Sequence, residues 1–150
     1  MDTIFMLRAI EKAKESVAAG GFPAGAVVVL DGRVVGEGIS IGNKLHDPTS
    51  HGEVAAIRDA CKNLKTSILS RVTLYASMQP CLMCFAASAW ASIPKIVYAC
   101  PQKSVAPAYY AGHYDTASIN NTLRSPIEIV HLAELGGQSM DVVKSWEANL

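Results

Sequence analysis

Four residues in two short segments have types and spacing that could do chemistry together. In SHGEVAAIRDAC, residues 50–61, His51 and Glu53 stand two apart where a helix is predicted to begin. In QPCLMC, residues 79–84, Cys81 and Cys84 have C-x-x-C spacing where another helix is predicted to begin. Zinc is bound by thiolate sulfur and imidazole nitrogen, and a catalytic zinc keeps three protein ligands and one open position. His51, Cys81 and Cys84 make such a set, with no obvious fourth Cys or His partner to close it. Helix N-termini favour thiolate over thiol, and the i, i+3 spacing puts both sulfurs on one helical face. Glu53 then reads as a proton carrier rather than a ligand. Zinc lowers the pKa of a coordinated water to about 7, and a carboxylate beside it can take that proton and pass it on.

Each part alone has a plainer explanation. Ser50 to Glu53 fits a capping box, Ser50 capping and Glu53 reaching back. A lone C-x-x-C could be a redox pair, although no tryptophan precedes this one. The joint pattern outweighs the parts. H-x-E is followed, 27 residues after Glu53, by P-C-x-x-C, and each opens a helix after a strand or loop. Capping is expected as a second job of the same residues.

The rest of the chain bounds the alternatives. With 150 residues, half of them hydrophobic, it can build one domain with a substantial core. Formal net charge is zero, and residues 101–150 carry three basic side chains, Lys103, Arg124 and Lys144. A surface that grips a nucleic-acid backbone needs more positive charge, so a nucleic-acid partner is disfavoured. No apolar run reaches membrane-spanning length. Charges at positions 2, 8, 11, 12, 14 and 15 interrupt any signal-peptide core, making the cytoplasm the default location. Four cysteines in a reducing compartment are metal ligands or buried thiols before they are disulfides.

Periodicity predicts the elements that must position the four residues. Met6, Ile10, Ala13 and Val17 share a stripe on a first helix that ends near Gly20-Gly21. Residues 24–30 and 33–40 form a hairpin about Asp31-Gly32. After a loop at 41–50, a helix over 51–64 presents Val54, Ile57, Cys61 and Leu64. A strand at 72–78, a helix at 81–92 rich in Ala and Ser, and a strand at 95–100 follow. An aromatic loop occupies 101–114, then come a short helix at 115–123, a strand at 127–132 and a helix at 139–148. A hairpin followed by alternating helices and strands predicts a three-layer α/β/α sandwich around a mixed five-stranded sheet.

On H-x-E and P-C-x-x-C the chain resembles the cytidine deaminase superfamily of zinc deaminases, whose mark this signature is. The likeness covers residues 1 to about 100 in element order. It implies one zinc per chain on His51, Cys81 and Cys84, with Glu53 shuttling protons while the amine of a nucleobase is replaced by a carbonyl. FPAGAVVV resembles a first-strand pattern whose backbone lines the pocket, here Gly25, Ala26 and Val27. Asn43 matches an asparagine that contacts the base. DPTSHGEVAAIRDAC and MCFAASAWASI resemble guanine deaminases, with Trp90 at a matching tryptophan or else a core or interface aromatic. Gly52 resembles the position in fungal cytosine deaminase whose backbone amide meets the base. Gln79 stands where a glutamate is frequent. Asp115 could read ring N–H donors, or cap a helix. Trp146 and Glu147 fall where related enzymes close the pocket, or else on a terminal amphipathic helix. Cys61 and Cys100 are expected in the core, and His46, His113 and His131 have no motif support.

The resemblance thus implies hydrolytic deamination of a free nucleobase or small heterocycle, guanine first and cytosine next, by a homodimer. A tRNA adenosine-to-inosine deaminase is the alternative, and a zinc-stabilised binding module a more distant one.

Overall fold

The computed structural model describes residues 1–150. Its elements are α1 (Asp2–Ala18), β1 (Phe22–Leu30), β2 (Arg33–Ser40), a one-turn α2 (Gly42–Leu45), α3 (Gly52–Leu64), β3 (Thr73–Met78), α4 (Leu82–Trp90), β4 (Lys95–Cys100), α5 (Thr116–Asn120), β5 (Glu128–His131) and α6 (Gly136–Ala148). Single 3-10 turns occupy Gln102–Ser104, Pro107–Tyr110 and Ala133–Leu135. The strands form one sheet in the order β2-β1-β3-β4-β5. β1 is antiparallel to β2 and β3, whereas β3, β4 and β5 run parallel. The mixed five-stranded sheet is therefore as expected.

Strand pleating sends alternate residues to opposite faces. Val27 and Val29 of β1 join Met6, Ala9, Ile10 and Ala13 of α1 and Val142 of α6 on one side. Ala26 and Val28 join Ala56, Ile57 and Ala60 of α3 and Phe85 of α4 on the other. Two apolar layers about one sheet make the three-layer sandwich. The hairpin turns at Asp31 (φ 50) and Gly32 (φ 75), the pair of left-handed residues that matches strand twist.

Three expectations about elements need correction. Of the stripe Val54, Ile57, Cys61 and Leu64, only Ile57 is buried on α3. Its buried face is Gly52, Glu53, Ala56, Ile57 and Ala60, because β2 lies too close for larger side chains. A Cβ on Gly38 would stand 2.1 Å from the Gly52 carbonyl oxygen, and one on Gly36 2.5 Å from that of Ala56. Cys61 and Leu64 pack at the margin of the same core instead. α6 begins at Gly136, earlier than its pattern suggests. Two weak helix formers open it, and the first lies close enough to the Ala99 carbonyl that a Cβ would be 3.1 Å from its oxygen. α5 is a single short turn over Thr116–Asn120.

One surface network ties α1 to β2. Arg8 Nε donates to Glu37 Oε2 at 2.5 Å, and Lys12 Nζ lies 3.6 Å from Glu37 Oε1. The Arg8 hydrogen bond holds the Glu37 carboxyl below its ordinary range. A carboxyl lowered by folding adds stability above its unfolded pKa and loses it as pH falls. With Arg8 44% and Glu37 29% exposed, the contribution is under about 1 kcal/mol. Glu37→Gln is expected to cost that much in urea melts at pH 7, and nothing once acid has protonated the carboxyl. An equal cost at both pH values would contradict the assignment.

Candidate active site

His51 and Cys81 are the N-cap residues of α3 and α4, both in extended backbone conformation (φ −73, ψ 161 and φ −70, ψ 175). Two helix N-termini thus converge at the end of the sheet where β3 stops. Gln79-Pro80 ends the strand, and Cys84 falls one turn into α4. His51 Nδ1 lies 3.4 Å from Cys81 Sγ and 3.6 Å from Cys84 Sγ, and all three donor atoms lie within 4.8 Å of one another. Zinc bonds of about 2.3 Å to sulfur and about 2.0 Å to nitrogen, at tetrahedral angles, require an S to N separation of roughly 3.5 Å. The donor set fits one zinc. A hydrogen bond from Cys84, helped by His51, holds the Cys81 thiol down at about 4, while that bond and burial push the Cys84 thiol up.

Glu53 is 6% exposed. Burial, with the Cys81 charge adding to it, pushes its carboxyl up to about 7, against the opposing pull of His51. The expected capping box does not form. The N-cap is His51 rather than Ser50, no side chain caps α3, and Glu53 sits in the first turn facing the metal ligands.

These groups floor a cavity of about 690 Å³, within the range of small-ligand sites. Asn43 lies on its wall, and its Nδ2 donates to the Gly20 carbonyl at 2.9 Å, leaving Oδ1 as an acceptor. Ala24, Met78 and Gln79 line the sheet side. The outer end is aromatic. Phe22, Tyr109 and Trp146 meet edge to face, with ring centroids 5.2 to 5.9 Å apart. Tyr109 Oη donates to Glu147 at 2.5 Å, which fixes the end of α6 to the 101–114 loop. Among the cavity-lining side chains none is Lys or Arg.

Of the residues expected here, His51, Glu53, Cys81, Asn43 and Trp146 line one cavity, and Cys84 adjoins it. Others do not. Ala26 is fully buried in the core against α3, as Gly25 and Val27 are inside the sandwich; Ala24, nearer the open end of β1, lines the cavity in their place. Asp115 is the N-cap of α5, accepting from the Ala117 amide at 3.0 Å and Ser118 Oγ at 3.2 Å, so its oxygens serve the helix. Gly52 is buried against β1, where a Cβ would stand 3.1 Å from Gly25 Cα; close packing explains the glycine. Trp90 is 86% exposed and lines no part of the cavity. Cys100 is buried and Cys61 partly so, neither in a disulfide. Phe22, Tyr109 and Tyr110 also line the cavity, and the sequence pattern does not single them out. The tyrosine pair in the loop was the available signal.

Residues 1–100 match the family described as the cytidine and deoxycytidylate deaminase zinc-binding region, and the chain belongs to that family. It is 40% identical to guanine deaminase of Bacillus subtilis (strain 168) over 125 residues, 83% of this chain and 78% of the relative. It is 38% identical to a tRNA-specific adenosine deaminase of Buchnera aphidicola over 104 residues, 69% of this chain and 64% of that one. In fold it is similar to guanine deaminase from Nitrosomonas europaea, with TM-score 0.86 at 22% identity over 96% of this chain and 83% of the other. The protein is a zinc-dependent hydrolytic deaminase, and no helix in it is long and apolar enough to cross a membrane.

Proposed function

We propose that this enzyme deaminates a free nucleobase, guanine ahead of cytosine, releasing ammonia. The observation that carries this choice is the aromatic closure of the cavity by Phe22, Tyr109 and Trp146. It suits the cavity to a planar ring, and no Lys or Arg is among the lining residues. The Bacillus subtilis guanine deaminase likeness supports it.

His51, Cys81 and Cys84 hold the zinc, which when bound acts as a Lewis acid and lowers the pKa of its water to about 7. Asn43 Oδ1 accepts a ring N–H and orients the base. The aromatic trio stacks about it and excludes water. Glu53 carries a proton from the attacking water to the ring nitrogen beside the reacting carbon. It then carries a second proton from the added hydroxyl to the departing amine, leaving a carbonyl and ammonia. A carboxyl held near 7 by burial suits both directions of transfer at neutral pH.

The test is ammonia release by the zinc-loaded protein against guanine, cytosine, adenine and their nucleosides, with Glu53→Ala as the blank. Guanine is expected to give the highest kcat/KM, with xanthine as the product. Silence on every free base, with zinc bound, would reject the proposal. The tRNA-specific relatives favour a second reading, adenosine in tRNA; inosine formation in tRNA, with binding that weakens steeply with salt, would establish it.

A further inference from the structure

Gln79 is placed to do something that neither the metal ligands nor Glu53 does. Three of its groups hold the segment that walls the cavity. Its amide donates to the Cys100 carbonyl at 2.8 Å, where that segment begins. Its carbonyl accepts from Tyr110 Oη at 2.7 Å. Its side-chain Oε1 accepts from the Gln102 amide at 2.9 Å. A backbone N–H can donate only to the oxygen of a carboxamide, so this bond also fixes which way the amide group faces.

The circuit closes around the metal-ligand turn. Gln102 Nε2 donates to the Tyr114 carbonyl at 3.3 Å, and Tyr114 Oη accepts from the Leu82 amide at 2.9 Å. Leu82 follows Cys81 directly. The 101–114 segment is thus fastened on both sides of Pro80-Cys81, and what it carries into the cavity is Ala108, Tyr109 and Tyr110. Tyr110 is 4% exposed, so its bond to Gln79 is shielded from water.

We infer that Gln79 is a positioning residue: through Gln102 and Tyr110 it sets where the tyrosine wall stands over the metal site, and so how tightly the ring of the substrate is held. The requirement on its side chain is an acceptor oxygen. Glutamate meets that requirement as glutamine does, whereas an isosteric apolar side chain does not.

Gln79→Met is expected to raise KM about tenfold, the size of one lost hydrogen bond, with kcat changed less than threefold and zinc content unchanged. Gln79→Glu is expected to restore KM to within threefold of the parent. Tyr110→Phe removes the other bond and is expected to raise KM similarly; because both act through one segment, the double variant should be less than additive. The kinetic arm rests on a free base being the substrate, so a second readout is independent of turnover. In a Trp90→Phe background Trp146 is the sole tryptophan, and it touches Tyr109 of the segment. Acrylamide quenching of its emission is expected to rise about twofold in Gln79→Met and to return to the parent value in Gln79→Glu. If Gln79→Met does not fold, Tyr110→Phe with the same quenching measurement decides. Quenching unchanged in the folded variants, or Gln79→Glu as impaired as Gln79→Met, would overturn the inference.

Discussion

Glu53→Gln is expected to lower kcat by about 10³-fold while the protein still folds and binds zinc at one per chain. General acid–base groups contribute about 10²- to 10⁴-fold, and Glu53 is asked to serve as base and then as acid in one turnover. Its carboxyl is 6% exposed, and burial pushes it up to about 7. Glutamine keeps the shape and the polarity of the side chain but cannot carry a proton. It also removes a buried group that resists ionisation, so stability should not suffer. Metal analysis beside steady-state kinetics checks both halves. A variant that keeps its metal and more than a tenth of its rate would remove Glu53 from the chemistry.

Gly38→Ala is expected to cost about 3 kcal/mol of stability and most of the activity, although Gly38 touches neither the metal ligands nor the cavity. A Cβ there would stand 2.1 Å from the Gly52 carbonyl oxygen and 2.3 Å from the Ala56 nitrogen. Both obstacles are backbone, so a rotamer change cannot relieve the clash and α3 must move off β2. Overpacking of this kind costs about 1–3 kcal/mol or more. The loss of activity follows from what α3 carries, His51 at its cap and Glu53 in its first turn. Gly32→Ala is the contrasting case. No atom lies within 4 Å of its added Cβ, and only the left-handed backbone at φ 75 resists the change, a cost of about 1 kcal/mol with activity intact. Urea melts and kcat/KM on both variants separate the two. Equal losses would mean that the close approach of helix and strand is not what holds the site.

What could be read from the sequence was what local rules govern. Asp31-Gly32 announces a hairpin because few other pairs accept two left-handed residues, and the hairpin is there. The metal-ligand set was legible because zinc demands particular atoms, and two helix starts supply them within a few residues each. The buried face of α3 was not legible. Its rotation is imposed by glycines on β2, and a hydrophobic stripe takes no account of how near the neighbouring strand stands. Ala26 and Ala24 are both small apolar residues of one strand, and only the position at which β1 leaves the core distinguishes them. Asp115 fits two descriptions equally well in the sequence, and in the structure its side chain accepts from the Ala117 amide. The aromatic closure joins Phe22, Tyr109 and Trp146, far apart in the chain, so no local window contains it.

The division of the chain at Cys100 has an evolutionary consequence. Every donor atom of the metal set, and Glu53 beside it, lies before that residue, in the stretch that matches the family. Tyr109, Tyr110, Trp146 and Glu147 lie after it. The metal site and two of the three rings that close the cavity are therefore carried on separate parts of one polypeptide. Drift in the last third can redraw the shape offered to a substrate without disturbing the chemistry beneath it.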